Sequence, residues 1–208
     1  MGQPTESIRI VVVNGSVRPG NYTGKALALV VEELGKDAQV SVTAIDPVAW
    51  RLPAPGTDPG SEVTRAVQAE VKRAAAVVLA TPEYHGSFSS VMKLVIENLG
   101  FPSVLAGKPV ALLGVAAGSI GAIKSLEQLR GVCSHVGAIV LPLSVSVANV
   151  QKVFAPDGRC LDPAVEKLVR RVGTNLIDYL RRHVCPAITL ERILRNGPSL
   201  AQEASPRG

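Results

Sequence analysis

Three times in this chain a run of small and β-branched residues ends on a turn bearing glycine or proline, and a stretch with helical spacing follows. The runs are Ile8 to Val13, interrupted only by Arg9, then Ala74 to Ala80, and Val110 to Val115. The turns are Asn14 to Thr23, Thr81 to Ser87 and Ala116 to Gly121. Apolar runs without polar alternation read as strands buried on both faces. Such strands, interleaved with helices, predict an α/β fold with a parallel sheet between two helical layers. In folds of this kind ligands sit at the carboxyl ends of the strands.

The rest of the chain keeps this alternation. A helix runs from about Thr23 to Leu34, with Leu27, Val30, Val31 and Leu34 on one face and Gly35 as its stop. Gln39 to Ile45 alternates as a second strand nearer the sheet edge. A long loop with six prolines and glycines between Pro47 and Gly60 surrounds Trp50, and Ser61 or Thr64 opens a helix ending near Arg73. The helix after the second turn reaches about Leu99 and breaks at Gly100-Phe101-Pro102. On the helix after the third turn, Ile123, Leu126, Leu129 and Val132 face inward. Ala138 to Leu141 is a fifth strand interrupted by Pro142, and residues 145–153 either extend it or form a loop. Asp162-Pro163 opens the last long helix, whose apolar stripe is Val165, Leu168, Val169, Val172, Leu176 and Leu180. Five strands thus alternate with five helices. Residues 1–183 read as one domain and 184–208 as a tail: a short docking helix carrying Ile188, Leu190, Ile193 and Leu194, then eight disordered residues.

Composition narrows the function. Hydrophobic residues make up 47% and aromatic ones 3%, so the core is built from Val, Leu, Ile and Ala. No apolar run reaches about 18 residues, so no membrane-spanning helix is expected, and Met1 to Ser7 is too polar and short for a secretory signal. Cys133, Cys160 and Cys185 have neither metal nor disulfide spacing and read as reduced thiols of a cytoplasmic protein. The net charge of +5 is scattered and aromatics are scarce, which argues against a nucleic-acid partner. His85, His135 and His183 form no ligand pair, so no metal site is expected. Ser16 lacks the flanking pattern of a hydrolase nucleophile, and Cys133 reads as a small residue inside a helix.

The turns carry the chemistry. The first offers the hydroxyls of Ser16 and Thr23, the Arg18 guanidinium and the Asn21 amide at a helix N-terminus, a setting suited to an anion. The alternative is a capped helix with a solvent arginine. Neither the Gly-Lys-Ser/Thr phosphate loop nor the dinucleotide glycine pattern is present, and Asp46-Pro47 reads as a turn starter. In the second turn Pro82 fixes chain direction, Glu83 accepts hydrogen bonds, Tyr84 offers a flat face, and Gly86 allows close approach. Backbone N–H groups from Tyr84 to Ser87 suit a polar ring edge. The alternative is a helix entry capped by Ser87 or Ser89. The third turn combines Gly118, Ser119 and Gly121.

Taken together, Gly15-Ser16-x-Arg18, Thr81-Pro82-Glu83-Tyr84, Met92-Lys93-Leu94, Gly107-Lys108-Pro109-Val110 and Gly118-Ser119-x-Gly121 resemble the NAD(P)H-dependent FMN reductases of flavodoxin-like fold, from about Ile8 to Leu180. That branch includes quinone, azo-dye, chromate and ferric reductases. The resemblance implies a flavodoxin-like three-layer sandwich, a five-stranded parallel sheet of order 2-1-3-4-5 with helices on both faces. It implies FMN at the switch between strands one and three, and NAD(P)H as co-substrate. The phosphate would lie at Ser16, Arg18, Asn21 and Thr23, with Tyr22 a neighbour. The ring would lie against Pro82, Glu83, Tyr84, His85, Gly86 and Ser87, its pyrimidine edge near Gly118 and Ser119. No side chain is expected to act as catalytic acid or base, since flavin N5 carries the hydride. Ping-pong transfer to a flavin, quinone or similar small acceptor and a homodimer or homotetramer are further expectations, with the Trp50 loop and a partner subunit walling the pocket. An electron carrier without nicotinamide turnover, or a cofactor-free interaction domain, are the alternatives on the same fold. The chain departs from the family's habit at His85, where Asn is frequent, at Ser89-Ser90, near which Pro-Gly is frequent, and at Asn21, where Ser is frequent.

Overall fold

The computed structural model describes residues 7–58 and 60–196. The elements in order are β1 (Ile8–Asn14), α1 (Tyr22–Leu34), β2 (Val40–Ile45), α2 (Pro47–Trp50), α3 (Glu62–Arg73), β3 (Ala76–Tyr84), β4 (Ser87–Phe88), α4 (Ser90–Asn98), β5 (Pro109–Val115) and α5 (Ile123–His135). They continue with β6 (Ile139–Val140), β7 (Val145–Val147), α6 (Val150–Val153), α7 (Pro163–Tyr179), a π-helical turn at Leu180–Val184 and α8 (Cys185–Asn196).

The sheet runs β2-β1-β3-β5-β6, and the pairs along this path are parallel. Counted by parallel positions this is the flavodoxin-like order 2-1-3-4-5. Side chains alternate between two apolar layers, as the pleat of a strand requires. Ile10 and Val12 of β1 pack in one cluster with Leu27 and Val30 of α1 and Val169, Val172 and Leu176 of α7. Val11 and Val13 pack in the other, with Val67 and Val71 of α3, Val95 of α4 and Leu126 and Leu129 of α5. Chain reversal between β1 and β3 therefore opens a crevice at the carboxyl ends of these two neighbouring strands.

The structure corrects several expectations. The sheet has seven strands rather than five. One extra piece arises because the fifth strand is broken: β6 pairs the start of β5 and β7 its end, with the Pro142 segment between. Residues 145–153 thus divide into strand β7 and helical turn α6. The other extra piece is β4, which pairs antiparallel with β3. The second turn is accordingly not a direct strand-to-helix turn: β3 continues through Thr81-Pro82-Glu83-Tyr84. β1 has already ended, with Asn14 opposite Ala80, so Pro82 lies where one edge of β3 is free and its missing N–H breaks no ladder there. Ile123 and Leu168, read as inward-facing, are exposed at 47% and 41%. Ile123 is the first residue of α5, ahead of its buried stripe, and Leu168 lies beside the Val169 face.

Caps explain where the helices start. Asp46 accepts from the N–H of Val48, so Asp46-Pro47 opens α2; Ser61 caps α3, Ser89 caps α4 and Asp162 caps α7. α7 passes through the π turn directly into α8, and the last eight residues read as disordered lie outside the described residues.

Candidate functional site

The first turn is tied to the sheet before it can meet a ligand. Gly15 N donates to the Ala80 carbonyl at 2.7 Å. A Cβ at Gly15 would lie 2.6 Å from that same oxygen, so only glycine permits the approach. Ser89, at the start of α4, donates its hydroxyl to the Gly15 carbonyl at 2.6 Å and accepts from Met92 N. Thr81 Oγ1 in turn accepts from Ser89 N. One hydroxyl-bearing residue absent from the expected site, Ser89, therefore locks the first and second turns together.

Within the loop, Asn21 is committed. Its Oδ1 accepts from Gly24 N at 2.6 Å and its Nδ2 donates to the Arg18 carbonyl at 2.8 Å. Asn21 is the N-cap of α1 and shapes the loop from inside, with each end of its amide bonded within the loop. The cap leaves the N–H groups of Tyr22 and Thr23 without intrahelical acceptors. Tyr22 packs against the core and its ring carries the Lys25 ammonium 4.9 Å away. Thr23 is buried at the first turn of α1. Ser16 is also buried, and its Oγ has no hydrogen-bond partner. A buried hydroxyl left unpaired costs roughly 1–3 kcal/mol, and no group of the chain offsets that cost here.

The second turn forms a hairpin. His85 and Gly86 take φ of 51° and 74°, and Tyr84 pairs with Ser87 across them. Two positive φ values in a two-residue loop are the geometry that favours Asn-Gly. Histidine is among the few other residues that tolerate it, so His85 satisfies the same backbone demand as asparagine. Tyr84 faces the first turn: the Arg18 guanidinium lies 4.5 Å from its ring centroid. Glu83 points the other way. Its carboxylate accepts from Ser125 N at 3.1 Å and supplies an N-terminal cap that α5 lacks, since Ala122 makes no side-chain cap bond. Gln128 of α5 bonds Gly86 and Ser87.

The third turn adjoins this ledge. The Gly118 carbonyl accepts from Asn149 N, and Ser146 Oγ accepts from Ala122 N. Gly118 and Ser119 are exposed. The structure therefore brings all three turns to one end of the sheet, beyond the carboxyl ends of β1, β3 and β5, as the strand order requires.

Arg18, His85, Gly118 and Ser119 are exposed at this end. A cleft of about 750 Å³ lies elsewhere, between α1 and the 155–162 segment, and meets the first turn only at Gly20 and Asn21. Of its charges, Arg170 pairs with Glu32 and Glu166, and Arg159 with Asp157. Among the described residues no cluster of three or more His, Cys, Asp or Glu could hold a metal, and no helix is long and apolar enough to cross a membrane.

The fold is a flavodoxin-like α/β domain in which a buried serine, an arginine and a helix N-terminus lie beside a tyrosine-bearing hairpin. Comparison with known proteins agrees. The description of the NADPH-dependent FMN reductase family matches residues 8–152. An NAD(P)H-dependent FMN reductase of Pseudomonas aeruginosa is 27% identical over 186 residues, 86% of this chain and 98% of that protein. A 2-hydroxy-1,4-benzoquinone reductase of a Burkholderia species is 31% identical over 141 residues, 65% of this chain and 75% of that one. The solved structure of FerB, a flavoenzyme NAD(P)H:(acceptor) oxidoreductase from Paracoccus denitrificans, superposes with a TM-score of 0.70 at 23% identity, covering 84% of this chain and 98% of that one.

The chain belongs to the NADPH-dependent FMN reductase family. It is an oxidoreductase whose cofactor is FMN and whose co-substrate is NAD(P)H. The residues present fit that cofactor: an unpaired buried hydroxyl, a guanidinium and free helix N–H groups suit a phosphate, and an adjacent tyrosine and hairpin suit a flat ring.

Proposed function

We propose that this chain passes hydride from NAD(P)H to a small quinone or flavin acceptor by ping-pong exchange, with FMN held across the three turns. The observation that carries this reading is the buried, unpartnered Ser16 Oγ in a loop whose arginine reaches the Tyr84 ring. Ser16, Arg18 and the first N–H groups of α1, at Tyr22 and Thr23, hold the phosphate. Asn21 holds the loop that presents them. Pro82, Glu83, Tyr84, His85, Gly86 and Ser87 support the ring, and Gly118 and Ser119 meet its polar edge.

Bound FMN supplies a ring nitrogen, N5, that accepts and returns a hydride. The chain's work is orientation and charge. Arg18 neutralises phosphate charge with charge-assisted bonds, and backbone donors near the ring edge favour negative charge there. No side chain needs to move a proton at the reacting atom. NAD(P)H and the acceptor use the same face in turn. The name of the Burkholderia relative supports a quinone as acceptor class.

The same reading takes residues 1–183 as the flavin-binding unit and 184–208 as an appendage, and places a homodimer or homotetramer in the cytoplasm. Titrating the purified protein with FMN, then following NAD(P)H oxidation with a benzoquinone and with free FMN, tests it. Bound flavin and turnover with at least one acceptor are expected. A protein that takes up no FMN overturns the site, and one that binds FMN without oxidising NAD(P)H is a carrier instead.

A further inference from the structure

We propose that Gln128 is a positioning residue: it sets the pose of the Tyr84–Ser87 turn and, through that turn, the affinity of the ledge for FMN. The inference rests on the reading that FMN lies on this ledge.

The hairpin needs outside support. β4 is two residues long, and so short an antiparallel pair has little stability of its own. Beyond Ala80, β3 no longer has β1 beside it. The tip is held instead by α5, which reaches it at two points one turn apart. Ser125 N donates to the Glu83 carboxylate at 3.1 Å, on one strand of the hairpin. Gln128, three residues on and so on the same side of α5, binds the tip with both ends of its amide. Nε2 donates to the Gly86 carbonyl at 2.9 Å, and Oε1 accepts from the Ser87 hydroxyl at 2.6 Å. The carbonyl can only accept, so the amide has one orientation that satisfies both partners. His85, at positive φ, lies between the anchored Glu83 and Gly86, and Gly86 is itself at positive φ. Rotation of this turn would tilt the Tyr84–Ser87 backbone against a planar ligand.

Gln128 is itself exposed, while Ser125, Leu126, Leu129 and Cys133 carry the buried face of α5. Its side chain fills no core space. Removing it should therefore leave folding almost untouched and act on the ledge, which separates positioning from a general stabilising role.

The test is FMN titration by fluorescence quenching, with thermal unfolding of the flavin-free protein, for the wild type, Gln128→Ala, Gln128→Glu and the neighbouring surface variant Glu127→Ala. Gln128→Ala loses both bonds. Gln128→Glu keeps an acceptor for Ser87 and loses the donor to Gly86. Both Gln128 variants should bind FMN about tenfold more weakly, the scale of one well-placed hydrogen bond. Their melting temperatures should stay within about 2 °C of the wild type, and Glu127→Ala should match the wild type in both readouts. Unchanged affinity in Gln128→Ala, or weakened affinity accompanied by a large fall in melting temperature, overturns the proposal. A wild type that binds no FMN overturns the reading of the site itself.

Discussion

The Arg18 guanidinium lies 4.5 Å from the centre of the Tyr84 ring, joining the loop after β1 to the hairpin after β3. The two residues are 66 positions apart in the chain and meet because their strands are neighbours in the sheet. An exposed cation–π contact of this kind contributes about 0.5–1 kcal/mol. It holds the guanidinium at the junction of loop and hairpin.

Arg18→Ala is expected to weaken FMN binding by about 1.5–3 kcal/mol, the range for hydrogen bonds to a charged group. Flavin titration measures this directly. An unchanged dissociation constant would remove Arg18 from the phosphate site.

Ser16→Ala should change stability and affinity in opposite directions. The flavin-free protein carries the cost of a buried, unpartnered hydroxyl, so the alanine variant should be more stable to urea by about 1 kcal/mol. Its FMN affinity should fall, since the phosphate loses that hydroxyl. A variant less stable than the wild type would mean that Ser16 Oγ already has a partner in solution.

At His85 the backbone, not the ring, sets the constraint. With φ at 51°, His85→Asn should leave stability within about 0.5 kcal/mol, because asparagine tolerates this region. His85→Val should cost about 1–3 kcal/mol through left-handed strain on a β-branched residue. Urea unfolding of the two variants distinguishes them, and equal stabilities would show that the turn relaxes.

Cys133 gives the protein an alkaline weakness. Burial pushes its thiol up from 9.0 to about 12, against the opposing influence of Arg130. The folded state thus holds this proton more tightly than the unfolded chain. The contribution is complete below about pH 9 and is lost, at about 1.4 kcal/mol per pH unit, as pH rises from there toward 12. Cys133→Ala should show a shallower decline over that window in paired urea titrations; identical slopes would refute the assignment. At neutral pH a maleimide should label Cys160 and Cys185, both partly exposed, and spare Cys133 until unfolding.

Much of the frame was legible because dry strands announce themselves. Ile8 to Val13 and Val110 to Val115 mark β1 and β5 within a residue or so, and the caps Ser61 and Asp162 mark helix starts. Pro82 hid the last four residues of β3, since proline normally argues against a strand. Nothing local reveals that the neighbouring strand has stopped. Asn21 was legible as a polar residue in the right loop. Composition could not show that the helix would claim its amide first. Ser89 was legible as a helix cap, but its bond to Gly15 and that of Gln128 to Ser87 span 74 and 41 residues, and no periodicity encodes such a distance.

The break in the fifth strand has a consequence for solubility. Long, flat, unpaired edges invite strands from other molecules, and proteins commonly blunt them. With Pro142 in the gap, β6 and β7 offer an incoming chain only two and three consecutive residues, and Leu143 at φ 65° turns the segment out of register with a flat edge. The same interruption that divides the sheet's last position thus guards one side of the molecule against aggregation, leaving the uncharged β2, Val40–Ile45, as the edge where misassembly would begin.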